Sequence, residues 1–220
     1  MECFARADGW FVENGENGRG EAAGRPLRMT NHARRPRDST EHEAEAFVVW
    51  FTGISGAGKS TIAAALEEAL RARAVPLHNL DGDQIRRGLN RDLGYDDDAR
   101  VESIRRISEV TRILVSTGTS VIVAAISPFR EGRDFARSLI TPGRFVEVHV
   151  DTPLEVAESR DTKGLYRMAR EGHLAHFTGI DSPYEEPLSP EVRIDSTRLS
   201  PSQAVKEIEQ VLARMDLIIG

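Results

Sequence analysis

A chain of 220 residues has room for one substantial domain, with or without an appendage, and its 40% hydrophobic and 29% charged content fit a soluble globular protein. A net charge of −6 argues against a general nucleic-acid binder, which needs a basic surface, though a local cluster of Arg and Lys can still hold a small anion. The single cysteine, Cys3, excludes an intrachain disulfide framework and a Cys-rich metal site.

Residues 1–46, with "ENGENGRGEAAGRP" and "NHARRPRDSTEHEAE", carry Gly, Pro and mixed charge without apolar periodicity, and read as a disordered N-terminal tail. The N-terminus lacks the charged-then-apolar order of a signal peptide. No apolar run approaches the roughly 18–20 residues that span a bilayer. The expectation is a cytoplasmic protein without a membrane partner.

From residue 47 the pattern alternates between strand-like and helix-like segments. "FVVWFTG" (47–53) is a continuous apolar run ended by Gly, as a strand buried on both faces requires. Residues 60–74 place Ile62, Leu66 and Leu70 at helical spacing. "VPLHNLDGD" (75–83) reads as a second strand with polar residues at its carboxyl end. Residues 99–118 put Val101, Ile104, Ile107, Val110 and Leu114 on one helical stripe ending at Gly118. "SVIVAAIS" (120–127) and "RFVEVHVDTP" (144–153) read as further strands, and 201–215 as an amphipathic helix capped by Ser200. This order predicts an α/β domain with a parallel sheet and helices on both faces. The Gly-, Pro- and charge-rich stretch 161–190 is long for a connection and reads as a lid or binding segment.

"GISGAGKST" (53–61) matches the spacing of a phosphate-binding loop. Gly53, Gly56 and Gly58 let backbone amides turn inward around phosphate oxygens, and the next helix offers its N-terminal dipole. Lys59 is then placed for the β- and γ-phosphates, and the Ser60 hydroxyl for Mg²⁺. "LDGDQIR" (80–86) sets Asp81 and Asp83 at the carboxyl edge of the second strand, beside the nucleotide crevice. Such a pair can divide labour, one carboxylate on a metal's water shell and one taking a proton from an attacking hydroxyl. Asp83 as a plain helix cap is the alternative.

Arg86, Arg87, Arg91, Arg100, Arg105 and Arg106 cluster in sequence; most suit a solvated face, while one or two beside a phosphate loop suit an anionic acceptor. Ser127, in "ISPFR", ends a strand at the same crevice, where it can contact substrate, cap a helix or act as a nucleophile. His78, His149, His173 and His176 show no metal-ligand spacing with carboxylates.

Across roughly 47–215 the chain resembles the adenylylsulfate kinase family. The stretches "GISGAGKST", "LDGDQIRRGLNRDLGY", "RVESIRRISEV", "ISPFR", "VEVHVDTPLEVAESRDTKGLYRMAR" and "FTGIDSPYEEP" occur in the family's order. The resemblance implies a P-loop kinase fold over 47–220 with a mobile lid at about 161–184. It implies transfer of the γ-phosphoryl group of ATP to the 3′-hydroxyl of adenosine 5′-phosphosulfate, with Mg²⁺. The whole loop, Ile54, Ser55, Ala57 and Thr61 included, then binds nucleotide, with Arg160 against the ATP base. Lys59, Asp83 and Ser127 take the catalytic positions, and Ser60 and Asp81 serve the metal. Arg86 and Arg100 bind the phosphosulfate side, Tyr95 and Phe177 sandwich the adenine, and Ser103, Ile126, Ser127 and Lys163 complete the acceptor site. Ser127 matches the serine proposed in the family as a phosphoenzyme site; direct in-line transfer needs no such intermediate, and substrate contact is the role expected for it.

The resemblance further implies a homodimer and allows a sulfate adenylyltransferase partner. Three positions depart from the family's usual residues: Ser103 for Asn, Met168 for Lys, and Ala125 for Phe or Leu. Two rival readings are a P-loop kinase for a sugar acid or antibiotic, and a nucleotide-binding regulatory subunit. The first gives Tyr95 and Phe177 no role; the second gives no role to an intact Asp81 and Asp83.

Overall fold

The computed structural model describes residues 46–219. The tail expected over 1–46 therefore lies, apart from Ala46, outside the described residues, as does Cys3.

β1 (Val48–Thr52) is buried at every position. Its two faces feed different apolar clusters: Val49 and Phe51 join one, Val48 and Trp50 the other. That is the period-two alternation of a strand covered on both sides, and it explains the unbroken apolar run. The chain continues through α1 (Lys59–Ala72), β2 (Leu77–Asp81), α2 (Gly82–Arg87), α3 (Asp97–Ser116) and β3 (Ser120–Ala124). It then forms α4 (Arg130–Ser138), β4 (Phe145–Asp151), α5 (Leu154–Arg160), α6 (Leu165–Arg170), β5 (Val192–Asp195) and α7 (Pro201–Arg214).

The strands form one sheet in the order β2-β3-β1-β4-β5, and every pairing is parallel. Val48 pairs with Val121 on one side and Phe145 on the other, so β1 is the central strand. Leu66 and Leu70 of α1 share the first cluster with Ile208 and Leu212 of α7. Ile104 and Ile107 of α3 and Ala136 of α4 share the second with Trp50 and Val123. Each large apolar side chain removed from water in these layers stabilises the fold by about 1.5–3 kcal/mol. α7 begins as its sequence dictates: Ser200 and Gln203 form a capping box, with Pro201 in the first turn.

α3 differs from expectation in one respect. Val101, expected on the apolar stripe, is 50% exposed, and the buried face instead runs through Arg100, Ser103, Ile104, Ile107 and Thr111. The N-terminal half of this helix faces a cavity, so its inward side carries polar groups for a ligand as well as apolar ones for the core. Because all strands are parallel, the loop after β1, Asp81 at the end of β2 and residues 125–127 after β3 gather at one edge of the sheet. No helix among the described residues is long and apolar enough to cross a membrane.

Candidate active site

The turn from β1 into α1 is shaped by its glycines. Gly53 has φ 146°, and a Cβ there would stand 2.6 Å from the Val150 carbonyl oxygen, so no side chain fits. Gly58 (φ 104°) starts α1 without a side-chain cap, leaving the first amides of the helix available to an anion. Lys59 follows directly and is buried; its ammonium donates to the carbonyl oxygens of Gly53 (2.8 Å) and Ile54 (2.7 Å). Burial, and then the charge of Lys163, bring its pKa down to about 7, against the opposing pull of Asp83 and Asp81. The lysine is thus held where bound phosphate would strongly favour its charged form.

Asp81 ends β2 and does two jobs. One carboxylate oxygen accepts the Ser60 hydroxyl (2.7 Å); the other caps α2 by accepting the amides of Asp83 (2.9 Å) and Gln84 (3.3 Å). The cap of this helix is therefore Asp81, not Asp83. Asp83 sits in the first turn with its carboxylate free of capping, and it forms an ion pair with Lys163.

Ser55 through Thr61, Asp81, Asp83, Arg86, Tyr95, Arg100, Ser103, Ile126, Ser127, Arg160, Lys163 and Phe177 all line one cavity of about 770 Å³. Gly53 and Ile54 are not on its wall; they stand behind it, their carbonyls holding Lys59. The residues expected from the sequence are thus brought together.

The Arg86 guanidinium lies 4.3 Å from the centre of the Tyr95 ring and donates to the Gly94 carbonyl (3.0 Å). Arg100 is buried and spans two segments, donating to the carbonyls of Tyr95 (2.9 Å) and His176. Burial and the neighbouring Arg86 lower its pKa. Ser103 accepts from the Asn90 amide (2.9 Å).

Ser127 is 2% exposed and has a positive φ of 46°. Its hydroxyl oxygen accepts the Trp50 indole N–H (3.0 Å), and its carbonyl accepts from Arg133 (2.6 Å) and Thr52 (3.3 Å). The Ile126 carbonyl takes the same Thr52 hydroxyl at 2.7 Å. Arg160 donates to the Ser196 hydroxyl (3.1 Å), the Ser196 carbonyl (2.9 Å) and the Gly56 carbonyl (3.4 Å), tying the loop to the segment after β5.

Three supporting residues have no signal in local sequence chemistry. Asp181 accepts the amides of His176 (2.7 Å) and Phe177 (2.5 Å), Tyr166 packs edge-on against Phe177, and Arg133 pins residue 127. Asp181 and Tyr166 fall within the quoted stretches "FTGIDSPYEEP" and "KGLYRMAR", but nothing short of the fold says what they touch.

A parallel sheet whose central strand runs into a phosphate loop, with a Ser60–Asp81 pair beside it, defines a P-loop kinase. Within that class the sequence itself decides. A sequence model of the family described as adenylylsulphate kinase matches residues 45–195, and the chain belongs to that family, a family of ATP-dependent phosphotransferases. An adenylyl-sulfate kinase of Burkholderia ambifaria is 53% identical over 178 residues, covering 81% of this chain and 98% of the relative. A probable adenylyl-sulfate kinase of Bacillus subtilis is 50% identical, covering 78% and 86% respectively. Among solved structures, the Mycobacterium tuberculosis APS kinase CysC in complex with AMPPNP and APS matches with a TM-score of 0.73 and 43% identity, over 76% of this chain and 98% of that one.

Proposed function

We propose that this chain transfers the γ-phosphoryl group of ATP to the 3′-hydroxyl of adenosine 5′-phosphosulfate (APS), giving 3′-phosphoadenosine 5′-phosphosulfate and ADP. One observation carries the reading: a single cavity joins the phosphate loop to a chamber with two aromatic rings, Tyr95 and Phe177, and two guanidiniums, Arg86 and Arg100. The loop suits a nucleoside triphosphate, and rings with arginines suit an acceptor that is both a purine and an anion.

Asp83 lines the same cavity and is the carboxylate that takes the acceptor proton in this reading. As the acceptor oxygen bonds to the γ-phosphorus and the bond from that phosphorus to the β–γ bridging oxygen breaks, the hydroxyl proton passes to the Asp83 carboxylate. Lys59 offsets the charge on the transferred group, and the uncapped amides of α1 hold the phosphates. Ser127 contacts the acceptor; its hydroxyl has the Trp50 indole as partner and no carboxylate or imidazole among the described residues, so nothing prepares it as a nucleophile. The segment 161–184 acts as a lid, with Lys163 as its tip at Asp83.

The donor set fits Mg²⁺: the Ser60 hydroxyl and one Asp81 carboxylate oxygen lie 2.7 Å apart, hard oxygen donors of the kind that ion takes alongside substrate phosphates. When bound there it would neutralise charge on the β- and γ-phosphates.

The reading brings with it a cytoplasmic homodimer and a sulfate adenylyltransferase that supplies the acceptor; light scattering tests the dimer by a mass of two chains. The test of the activity is incubation of the purified chain with Mg-ATP and APS, followed by chromatographic resolution of the nucleotides. Equal amounts of ADP and the 3′-phosphorylated product support the reading. Nucleotide binding without that product overturns the acceptor assignment and calls for a screen of sugar and other hydroxyl acceptors.

A further inference from the structure

Tyr166 is 1% exposed and is not on the cavity wall, yet it touches both halves of the site from behind. Its phenol donates to the Ser55 carbonyl in the phosphate loop (2.8 Å). Its ring meets Phe177 edge-on, with centroids 4.9 Å apart and planes at 82°. Burial pushes the phenol up to about 12, so it stays a donor throughout the working pH range.

The residue is itself rigidly placed. The Asp161 carboxylate accepts the amides of Tyr166 (3.1 Å) and Arg167 (3.1 Å), fixing the start of α6. On the far side, Asp181 holds the Phe177 amide and the His176 carbonyl accepts Arg100. A path of two hydrogen bonds, one ring contact and the His176–Phe177 backbone therefore runs from the phosphate loop to Arg100, and Tyr166 is its middle link.

We propose that Tyr166 is a positioning residue that couples the two subsites, so that a nucleotide in the phosphate loop tightens binding of the anionic adenine nucleotide at Phe177, and the reverse. This rests on the acceptor reading given above. A loop held by phosphate keeps the Ser55 carbonyl in place, Tyr166 stays on it, and Phe177 is already ordered when the second ligand arrives. The second ligand then loses less conformational freedom on binding. Linkage makes the effect equal in both directions.

The experiment is calorimetric titration of APS with and without saturating Mg²⁺ and a β,γ-imido analogue of ATP, which binds without transfer. In the unaltered protein the analogue is expected to tighten APS binding by about five-fold or more. In Tyr166→Phe, which keeps the ring and loses only the bond to Ser55, that factor is expected to fall below about two-fold, while affinity for the analogue alone changes little. Phe177→Leu, which breaks the path at its other end, is expected to lose the coupling as well. No coupling in the unaltered protein, or coupling undiminished in both variants, overturns the proposal. Product formation by the unaltered protein is assayed in parallel: its absence takes down the acceptor reading and this inference together, whereas normal product with unchanged coupling in the variants takes down only the inference.

Discussion

Lys163 and Asp83, eighty positions apart in sequence, form an ion pair that joins the 161–184 segment to the first turn of α2. Both side chains are more than half exposed, so the pair adds little to stability and its value is positional. It marks where a cation meets the carboxylate assigned to the acceptor proton, and an arriving hydroxyl must share Asp83 with it.

Asp83→Asn removes the proton acceptor while leaving the Asp81 cap and the Ser60 contact in place. Turnover is expected to fall by about 10²–10⁴-fold, with nucleotide affinity within a few-fold of the original. Steady-state kinetics and a fluorescent-nucleotide titration read the two separately. Near-normal turnover would remove Asp83 from the mechanism.

Lys59 gives a pH-dependent signature with a definite sign. Its pKa falls from 10.5 to about 7 on folding. The unfolded chain therefore binds more protons between those values, and this group makes stability rise with pH across that window. Phosphate beside the ammonium restores the charged form, so nucleotide binding at pH 8 should take up a proton. Below about pH 6 the lysine is already charged and its uptake vanishes. Calorimetry in buffers of different ionisation heat counts the protons; an equal count at pH 6 and pH 8, or one unchanged in Lys59→Met, would contradict the assignment.

Ser127→Ala separates structural and chemical roles. The Trp50 indole loses its acceptor in a buried setting, which should cost about 1–3 kcal/mol of stability, read from urea unfolding. Turnover should survive within about ten-fold, since direct transfer needs no serine. Complete loss of activity, with an acid-trapped phosphoserine on the unaltered protein, would reverse this view of the residue.

The parts legible in the sequence were those with a local signature. The phosphate loop, the doubly buried β1 and the cap at Ser200 each follow from a few adjacent residues. Contacts made across the fold were not legible. Trp50 reads as one more apolar residue of a strand until β1 and β3 pair and bring Ser127 to its indole, 77 positions on. Asp81 and Asp83 are equivalent as letters; only the turn after β2 makes the first the cap and frees the second. Val101 fits the stripe of α3 by periodicity, yet it is half exposed and off the cavity wall, while Arg100 and Ser103 take the inward face. β5 is four residues long, too short for alternation to stand out from the loop around it.

Arg133 and Glu147 illustrate the same limit and allow a sharper forecast. The two form a buried ion pair at 2.7 Å between α4 and β4. The same guanidinium donates to the carbonyls of Ser127 (2.6 Å) and Glu185 (2.7 Å), so it braces the cavity wall at Ser127 as well as the core. Removing one member of a buried pair usually costs about 3–5 kcal/mol, because the other charge is left without compensation. Here Arg137 stands 3.4 Å from the second Glu147 oxygen and supplies partial relief, so Arg133→Met should fall near the lower end, about 3 kcal/mol. Adding Glu147→Gln removes the stranded charge, and the double variant should be less destabilised than the sum of the singles. The bond to the Ser127 carbonyl is lost in both Arg133 variants, so KM for the acceptor should rise in each whether or not stability recovers. Recovery of KM along with stability in the double variant would mean that the arginine acts on the core alone.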